Sequence, residues 1–443
     1  MLASERVPRY TSYPTAPHFH AGIGPADYVD WLADLDPTQP VSLYLHVPFC
    51  EHLCWYCGCN AQVLRRPEAL SAFADRLIRE LWMVADAAPG RLKVTHLHWG
   101  GGTPTQLPPA VLERVMQAIA DRYALDEDAE VAVEIDPRVM TPAMASTLGR
   151  CGFNRASLGV QDFTPHVQAA IGRVQSYDVV ARTVDLLRDA GVGQLNFDLM
   201  YGLPQQTEGD CVTTVERCLR LYPDRFAMFG YAHVPWMRKQ QGLIDASTLP
   251  DGDARMRQFE SAAARLQAEG FQRVGLDHFA LPDDPLAEAA RAGRLHRNFQ
   301  GYTTDPAEVL LAVGPSAIGQ LPQGFVQNKT GPRDWSADID AGRLATKGGI
   351  AISADDRQRA GIIKRLMCDF AVDLEAACGG DGPAVRRFAP ELARLRELAA
   401  QGIVELDGGT VTVRPWARLY VRSVAAVFDA YLGKGPARHS RSV

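Results

Sequence analysis

Residues 41–59 read VSLYLHVPFCEHLCWYCGC, and the order of the two signals in this stretch decides the fold. The run from Val41 to Phe49 is apolar and rich in strand formers, as a strand buried on both faces is. Cys50-Glu51-His52-Leu53-Cys54-Trp55-Tyr56-Cys57 follows at once, so the chemistry sits on the loop after a strand, where parallel α/β folds collect it. Spacings of three and two residues bring the thiols of Cys50, Cys54 and Cys57 within one short loop, able to hold three corners of a 4Fe–4S cube. The fourth iron then has no protein ligand and is open to substrate. Cys59 could be taken for a fourth ligand, but its thiolate would saturate the cluster, so it is expected beside the cluster as a candidate catalytic residue. A zinc knot or an electron-carrying cluster is the bland alternative for clustered cysteines.

Outward from this loop, apolar runs bounded by turn residues alternate with helix-length amphipathic segments. The expected strands are Val41–Phe49, Lys93–Trp99, Glu130–Ile135, Asn154–Val160, Gln194–Leu199 and Arg225–Tyr231. The expected helices lie near Ala69–Ala87, Pro109–Arg122, Pro142–Arg150, Asp178–Ala190 and Gly209–Tyr222. This pattern predicts a partial (β/α)6 TIM-like barrel, with Phe271–Phe279 as a further edge strand. Each strand leads into polar or glycine-rich residues: the cysteine loop, then Gly100 to Thr105, Glu134 to Arg138, Gln161 to Phe163, Asp198 with Tyr201 to Pro204, and Tyr231 to Pro235. Such ends on successive strands argue for a site at one rim of the sheet.

The last hundred or so residues read differently, with helical patterns near Ala354–Phe370, Ala384–Phe388 and Glu391–Gln401. Two alternating strands around Asp407-Gly408-Gly409 follow, then a helix near Pro415–Tyr431. Helices with a hairpin resemble a winged helix, but no basic recognition face is present, so a lid or packing role is expected. The division is an N-terminal arm (1–35), the partial barrel (36–325) and a smaller, mainly helical C-terminal domain with a β-hairpin (326–443), the stretch Gln320–Lys347 being rich in Gly, Pro and Asp.

The 443 residues exceed one average domain, and 47% hydrophobic with 22% charged residues is a globular composition. A net charge of −6 without a basic stripe argues against nucleic acid as substrate, and the Arg-containing tail Lys434–Val443 is too short to alter that. No apolar stretch approaches a bilayer span and no secretory signal is evident, so a cytoplasmic protein without disulfides and without a membrane partner is expected, as a monomer.

Three consecutive glycines after the second strand can let a ligand approach the backbone and expose N–H groups to a carboxylate; in isolation such a run is more often a tight turn. Glu134 and Asp198 follow apolar strand residues, where a carboxylate is costly unless partnered; a cationic or hydroxyl-bearing ligand would serve, as would a helix Arg. Gln161 and Arg173 are further ligand candidates. His233, His278 and His296 are individually ambiguous.

The C-x3-C-x2-C loop with an aromatic before its last cysteine matches the signature of radical S-adenosylmethionine (SAM) enzymes. Nearly the whole chain resembles the oxygen-independent coproporphyrinogen III oxidase family. The resemblance is carried by Arg9-Tyr10-Thr11-Ser12-Tyr13-Pro14-Thr15, Pro48-Phe49-Cys50, Cys57-Gly58-Cys59-Asn60, His98 through Thr105, Gly159 to Phe163, Tyr201 to Pro204, and His296-Arg297-Asn298-Phe299-Gln300-Gly301-Tyr302-Thr303-Thr304. Pro315 and Gly230 depart from it, standing where Val and Asn are common.

The resemblance implies a 4Fe–4S cluster on Cys50, Cys54 and Cys57 and two SAM molecules. Tyr44, Gly101, Glu134 and Ile318 would contact the first; Tyr56, Gly102, Thr103, Gln161, Arg173, Asp198 and Ala232 the second. It implies oxidative decarboxylation of two propionates of coproporphyrinogen III to the vinyl groups of protoporphyrinogen IX, with an unidentified electron donor and acceptor. The arm Arg9–Thr15, with Tyr10 as a second catalytic candidate, would close over the site without anchoring the core, and Arg9, Arg297 and Lys329 would meet substrate carboxylates. A related radical enzyme that modifies haem, or a haem-trafficking chaperone, is the competing reading; the arm Arg9–Thr15 disfavours the first, and Cys59 and Tyr10 the second.

Overall fold

The computed structural model describes residues 5–378 and 384–434. Beyond Lys434, the basic tail lies outside the described residues. Six parallel strands stand side by side in chain order: β1 (Val41–Val47), β2 (Lys93–Gly101), β3 (Ala124–Ile135), β4 (Arg155–Gln161), β5 (Gln194–Tyr201) and β6 (Arg225–Gly230). Five helices make the crossovers: α1 (Pro67–Ala87), α2 (Pro109–Arg122), α3 (Pro142–Arg150), α4 (Tyr177–Asp189) and α5 (Glu208–Leu219). Three of them begin at a proline, whose fixed φ suits the first helical turn and whose missing N–H costs nothing there. On α1, Leu70, Phe73, Ala74, Leu77, Leu81 and Val84 form one buried stripe at helical spacing. The (β/α)6 expectation therefore holds.

The sheet does not close. Beside β6 it continues through two short antiparallel strands, β7 (Gln272–Val274) and β8 (His278–Ala280), where one edge strand is expected from Phe271 to Phe279. On the other side of β1 lies β9 (Val309–Val313), parallel to it, followed by antiparallel β10 (Ile318–Leu321), β11 (Gly324–Asn328) and β12 (Thr346–Ala351), twelve strands in all. Position 325 falls inside β11, and the sheet runs on to Ala351. A buried carboxylate ties this extension to α1: Glu80 accepts hydrogen bonds from Gly314 N (2.7 Å), Asn328 Nδ2 (2.6 Å) and Trp335 Nε1 (2.9 Å).

After Ala351 come α6 (Ala354–Asp369) and a three-stranded antiparallel sheet of β13 (Ala371–Asp373), β14 (Val404–Asp407) and β15 (Thr410–Val413), the last two being the expected hairpin. Where one helix is expected from Pro415 to Tyr431, only Val421–Ala425 is α-helical, flanked by 3-10 turns. The arm also differs from expectation. Val7, Tyr10 and Tyr13 are buried in the core, and His20 exchanges two backbone hydrogen bonds with Gly349 of β12. Tyr10 donates its hydroxyl hydrogen to Asp429 Oδ2 (3.0 Å), and Tyr13 Oη accepts from Ala430 N (3.0 Å). The two ends of the chain are thus sewn together over the barrel.

Candidate functional site

A cavity of about 810 Å³ opens at the C-terminal ends of β1–β6. The cysteine loop forms part of its wall and is fixed from behind. Trp55 N donates to Ile171 O (3.0 Å), and the Trp55 ring lies so close to Gly172, at φ 63°, that a Cβ there would come within 2.7 Å of it. Gln241 and Gln240 donate to the Tyr56 and Cys57 carbonyls, each at 2.8 Å.

The sulfurs of the loop each receive a donor. Thr103 Oγ1 donates to Cys50 Sγ (3.5 Å), Cys59 N to Cys57 Sγ (3.4 Å), and Arg138 Nη2 and Arg173 Nη1 to Cys54 Sγ (3.4 Å each). The Cys59 side chain also bonds Cys57 and lowers that thiol to about 7, while its own rises. Burial pushes Cys50 up to about 11. Three soft donors on one loop, surrounded by N–H and O–H groups directed at sulfur, fit an iron–sulfur cluster. Cys59 lines the same cavity and is engaged with Cys57.

The glycine run also lets the protein pack closely around the cavity. A Cβ on Gly100 would come within 2.8 Å of Glu134, one on Gly101 within 2.6 Å of the His46 ring, and one on Gly102 within 2.6 Å of Phe49 O. Their N–H groups are spent internally: Gly101 N donates to Glu134 Oε2 (3.1 Å), Gly102 N to Val47 O (2.8 Å). The run lets three parts of the protein close on one another and holds Glu134 in place. Burial opposes the charged form of Glu134, but His98 (Nε2 to Oε1, 3.4 Å) and Gly101 outweigh it and keep the carboxyl below its usual range. Asp198 accepts from Ser157 Oγ (3.0 Å) and Asn196 Nδ2 (2.8 Å), yet burial and the charge of Glu134 push it up to about 7.

Of the sequence candidates, Tyr10, Cys50, Cys54, Tyr56, Cys57, Cys59, Gly101, Gly102, Thr103, Glu134, Gln161, Arg173, Asp198 and Ala232 line this cavity. Tyr44 and Ile318 are not among its lining residues; Tyr44 stands behind the glycine turn, stacked on His98 with its hydroxyl 3.0 Å from His46 Nδ1. Gln161 has φ 67°, a strained value for a residue with a side chain. Arg9 reaches the cavity and donates to Gly230 O (3.1 Å). Arg297 lies over the Tyr302 ring (4.5 Å), and Lys329 is paired with Asp338, both off the lining. His278 lines the cavity beside Asp277 (2.8 Å); His233 bonds Tyr231 and His296 bonds Lys364, neither on the lining.

Two groups escaped the sequence reading. Asp136 grips Arg138 and Arg173 together at the cysteine loop, a convergence that depends on which loops meet. The second lies at the N-terminal strand ends, the cavity floor. There Arg155 Nε bonds Glu130 Oε2 (2.9 Å), Arg225 Nε bonds both oxygens of Asp284 (2.8 and 2.7 Å), and His96 faces Asp305 (3.3 Å).

Residues 44–218 match the radical SAM superfamily. The oxygen-independent coproporphyrinogen III oxidase of Bradyrhizobium diazoefficiens is 49% identical over 99% of this chain and 98% of its own length. The enzyme of that name from Paracoccus denitrificans is 44% identical, over 97% and 95%. The solved structure of coproporphyrinogen III oxidase (HemN) from Escherichia coli, a radical SAM enzyme, superposes with a TM-score of 0.91 at 36% identity, covering 96% of this chain and 100% of that one. Sequence along the full length and fold lead to one assignment: this chain belongs to the oxygen-independent coproporphyrinogen III oxidase family of the radical SAM superfamily.

Proposed function

We propose that the protein converts coproporphyrinogen III to protoporphyrinogen IX without oxygen, turning two propionates into vinyl groups. The single observation that carries this reading is the convergence of Cys50, Cys54 and Cys57 with Glu134 and Asp198 on one cavity, in a chain of this family. When bound, a 4Fe–4S cluster and SAM supply one electron and a 5′-deoxyadenosyl radical. Each propionate would lose a β-hydrogen atom, CO2 and one further electron, so one electron would enter and one leave per vinyl group. An external donor and an acceptor are therefore part of the reading.

Cys50, Cys54 and Cys57 would hold the cluster. Glu134, ionised beside Asp198, would attract the SAM amine and sulfonium, whose positive charge relieves the like-charge pair. The first SAM is assigned to Tyr44, Gly101, Glu134 and Ile318, and the second to Tyr56, Gly102, Thr103, Gln161, Arg173, Asp198 and Ala232. Tyr44 would act through the turn that holds Glu134, being off the cavity lining. Arg173 would have to share its fork with Asp136. Arg9 is the best-placed cation for a substrate carboxylate, and Lys329 the worst, since Asp338 already holds it. Tyr10, its hydroxyl bound to Asp429, suits closing the arm better than proton transfer. The division into arm, barrel and lid belongs to the same reading, with the lid beginning after Ala351.

We also keep a cytoplasmic monomer in the proposal. All nine cysteines are free of disulfides, which supports a reducing compartment. Among the described residues no helix is long and apolar enough to cross a membrane. The test is anaerobic incubation of the reconstituted protein with coproporphyrinogen III, SAM and a reductant, with porphyrins separated afterwards. Protoporphyrin is the expected product; its absence from a cluster-replete sample would reject the function.

A further inference from the structure

Cys54 is treated differently from the other two thiols of its loop. Cys50 and Cys57 each receive a neutral donor group, whereas Cys54 Sγ receives two guanidinium N–H groups at 3.4 Å, from Arg138 and Arg173. One carboxylate sets both arginines. Asp136 accepts from Arg173 Nη1 (3.2 Å) and Nη2 (3.1 Å), and from Arg138 Nε (3.0 Å) and Nη2 (2.6 Å). The local chain prepares this: Asp136 also accepts from Arg138 N (3.1 Å), an Asx turn closing the 3-10 turn Pro137–Val139 and folding Arg138 back. Arg173 has other duties, donating to Gly159 O (2.6 Å) and Gln175 Oε1 (3.2 Å). Among the described residues, the Arg138 side chain donates to Asp136 and Cys54 alone.

Reduction adds negative charge to a cluster, and hydrogen bonds to sulfur together with nearby cations stabilise it; both raise the potential. The effect is larger away from bulk water, and here the Arg138 and Asp136 side chains are only 16% and 11% exposed. We propose that Arg138, aimed by Asp136, is a positioning residue that raises the reduction potential of the cluster through Cys54, so that the donor can load its electron. The inference rests on the cluster reading above.

The test is an anaerobic redox titration, followed by electron paramagnetic resonance without SAM, on the reconstituted full chain, Arg138→Gln and Arg138→Lys. Iron content is expected to match across the three. At the wild-type midpoint, Arg138→Gln should show a reduced-to-oxidised ratio about tenfold lower, which is about 59 mV for one electron. Arg138→Lys keeps the charge but loses the fork, and should shift the same way by less. Equal midpoints in all three overturn the proposal. Should Arg138→Gln take up less iron, the Arg138→Lys midpoint decides alone, and a value equal to wild type overturns it. A wild-type chain that binds no cluster iron instead rejects the reading beneath it.

Discussion

The floor and the mouth of the barrel both set carboxylates against the same sheet, and they handle them differently. On the floor two acids each have a guanidinium, Glu130 facing Arg155 and Asp284 facing Arg225, while Asp305 faces His96. Burial opposes the charge on Glu130, yet Arg155 and Arg225 hold its carboxyl below the usual range. At the mouth, four residues further along β3, Glu134 has only a histidine and one backbone N–H, and neighbouring Asp198 is left without a cation of its own. A buried acid without a partner costs stability. The floor pairs two of its acids with arginines; the mouth is short of positive charge and suits a cationic ligand.

Breaking the mouth at its cluster end should give the largest effect. Cys50→Ser, Cys54→Ser and Cys57→Ser should each remove the cluster and all activity, while Cys59→Ser keeps cluster iron. Iron counts and absorbance after anaerobic reconstitution decide, and equal loss in the Cys59 variant would refute the ligand assignment. On the floor, Asp284→Ala leaves Arg225 buried and unpaired, which should cost about 3–5 kcal/mol in denaturant unfolding. A loss no larger than that of an average surface substitution would erase the contrast.

Glu134→Ala should leave stability nearly unchanged and weaken SAM binding by about 1.5–3 kcal/mol, the worth of a hydrogen bond to a charged group. Equilibrium dialysis reads it, and unaltered affinity counts against the mouth as a cation site. Asp198 sharpens the comparison through pH. Its carboxyl is raised from 3.8 to about 7, so the folded state binds the proton more tightly than the unfolded one. Its contribution is fully favourable below pH 3.8 and is lost as pH rises towards 7. Asp198→Asn should flatten that decline; an identical stability-versus-pH slope would show Asp198 already paired. The smallest effect belongs to Tyr10→Phe, which loses one hydrogen bond to Asp429, about 1 kcal/mol in the same assay.

The six parallel strands were legible because they are apolar runs separated by five helices of amphipathic period. β9 was not, although Val309 to Val313 are all buried. The short hairpin of His296–Asn298 and Gly301–Thr303 precedes it, so the helical crossover that announces a parallel strand is missing. The Gly- and Pro-containing run after it read as a domain boundary because glycines in strands pass for loops: Gly324 is needed where the neighbouring strand leaves no room for a Cβ. Within the site, Glu134 and Asp198 stood out as acids after apolar runs. Their unequal protonation did not, since Glu134 has hydrogen bonds with His98 and Gly101 N, whereas burial and the charge of Glu134 raise Asp198. The arm motif was visible, but its burial was not, because Tyr10 finds its partner 419 residues away.

That separation also sets a timetable. Tyr10 cannot be covered until Asp429 has left the ribosome, and at about 5–20 residues per second this comes roughly 20–75 s after the cysteine loop has been made. Until then the arm has no partner to bury Tyr10 against, and the seam between arm and C-terminal segment closes only as the last step of synthesis.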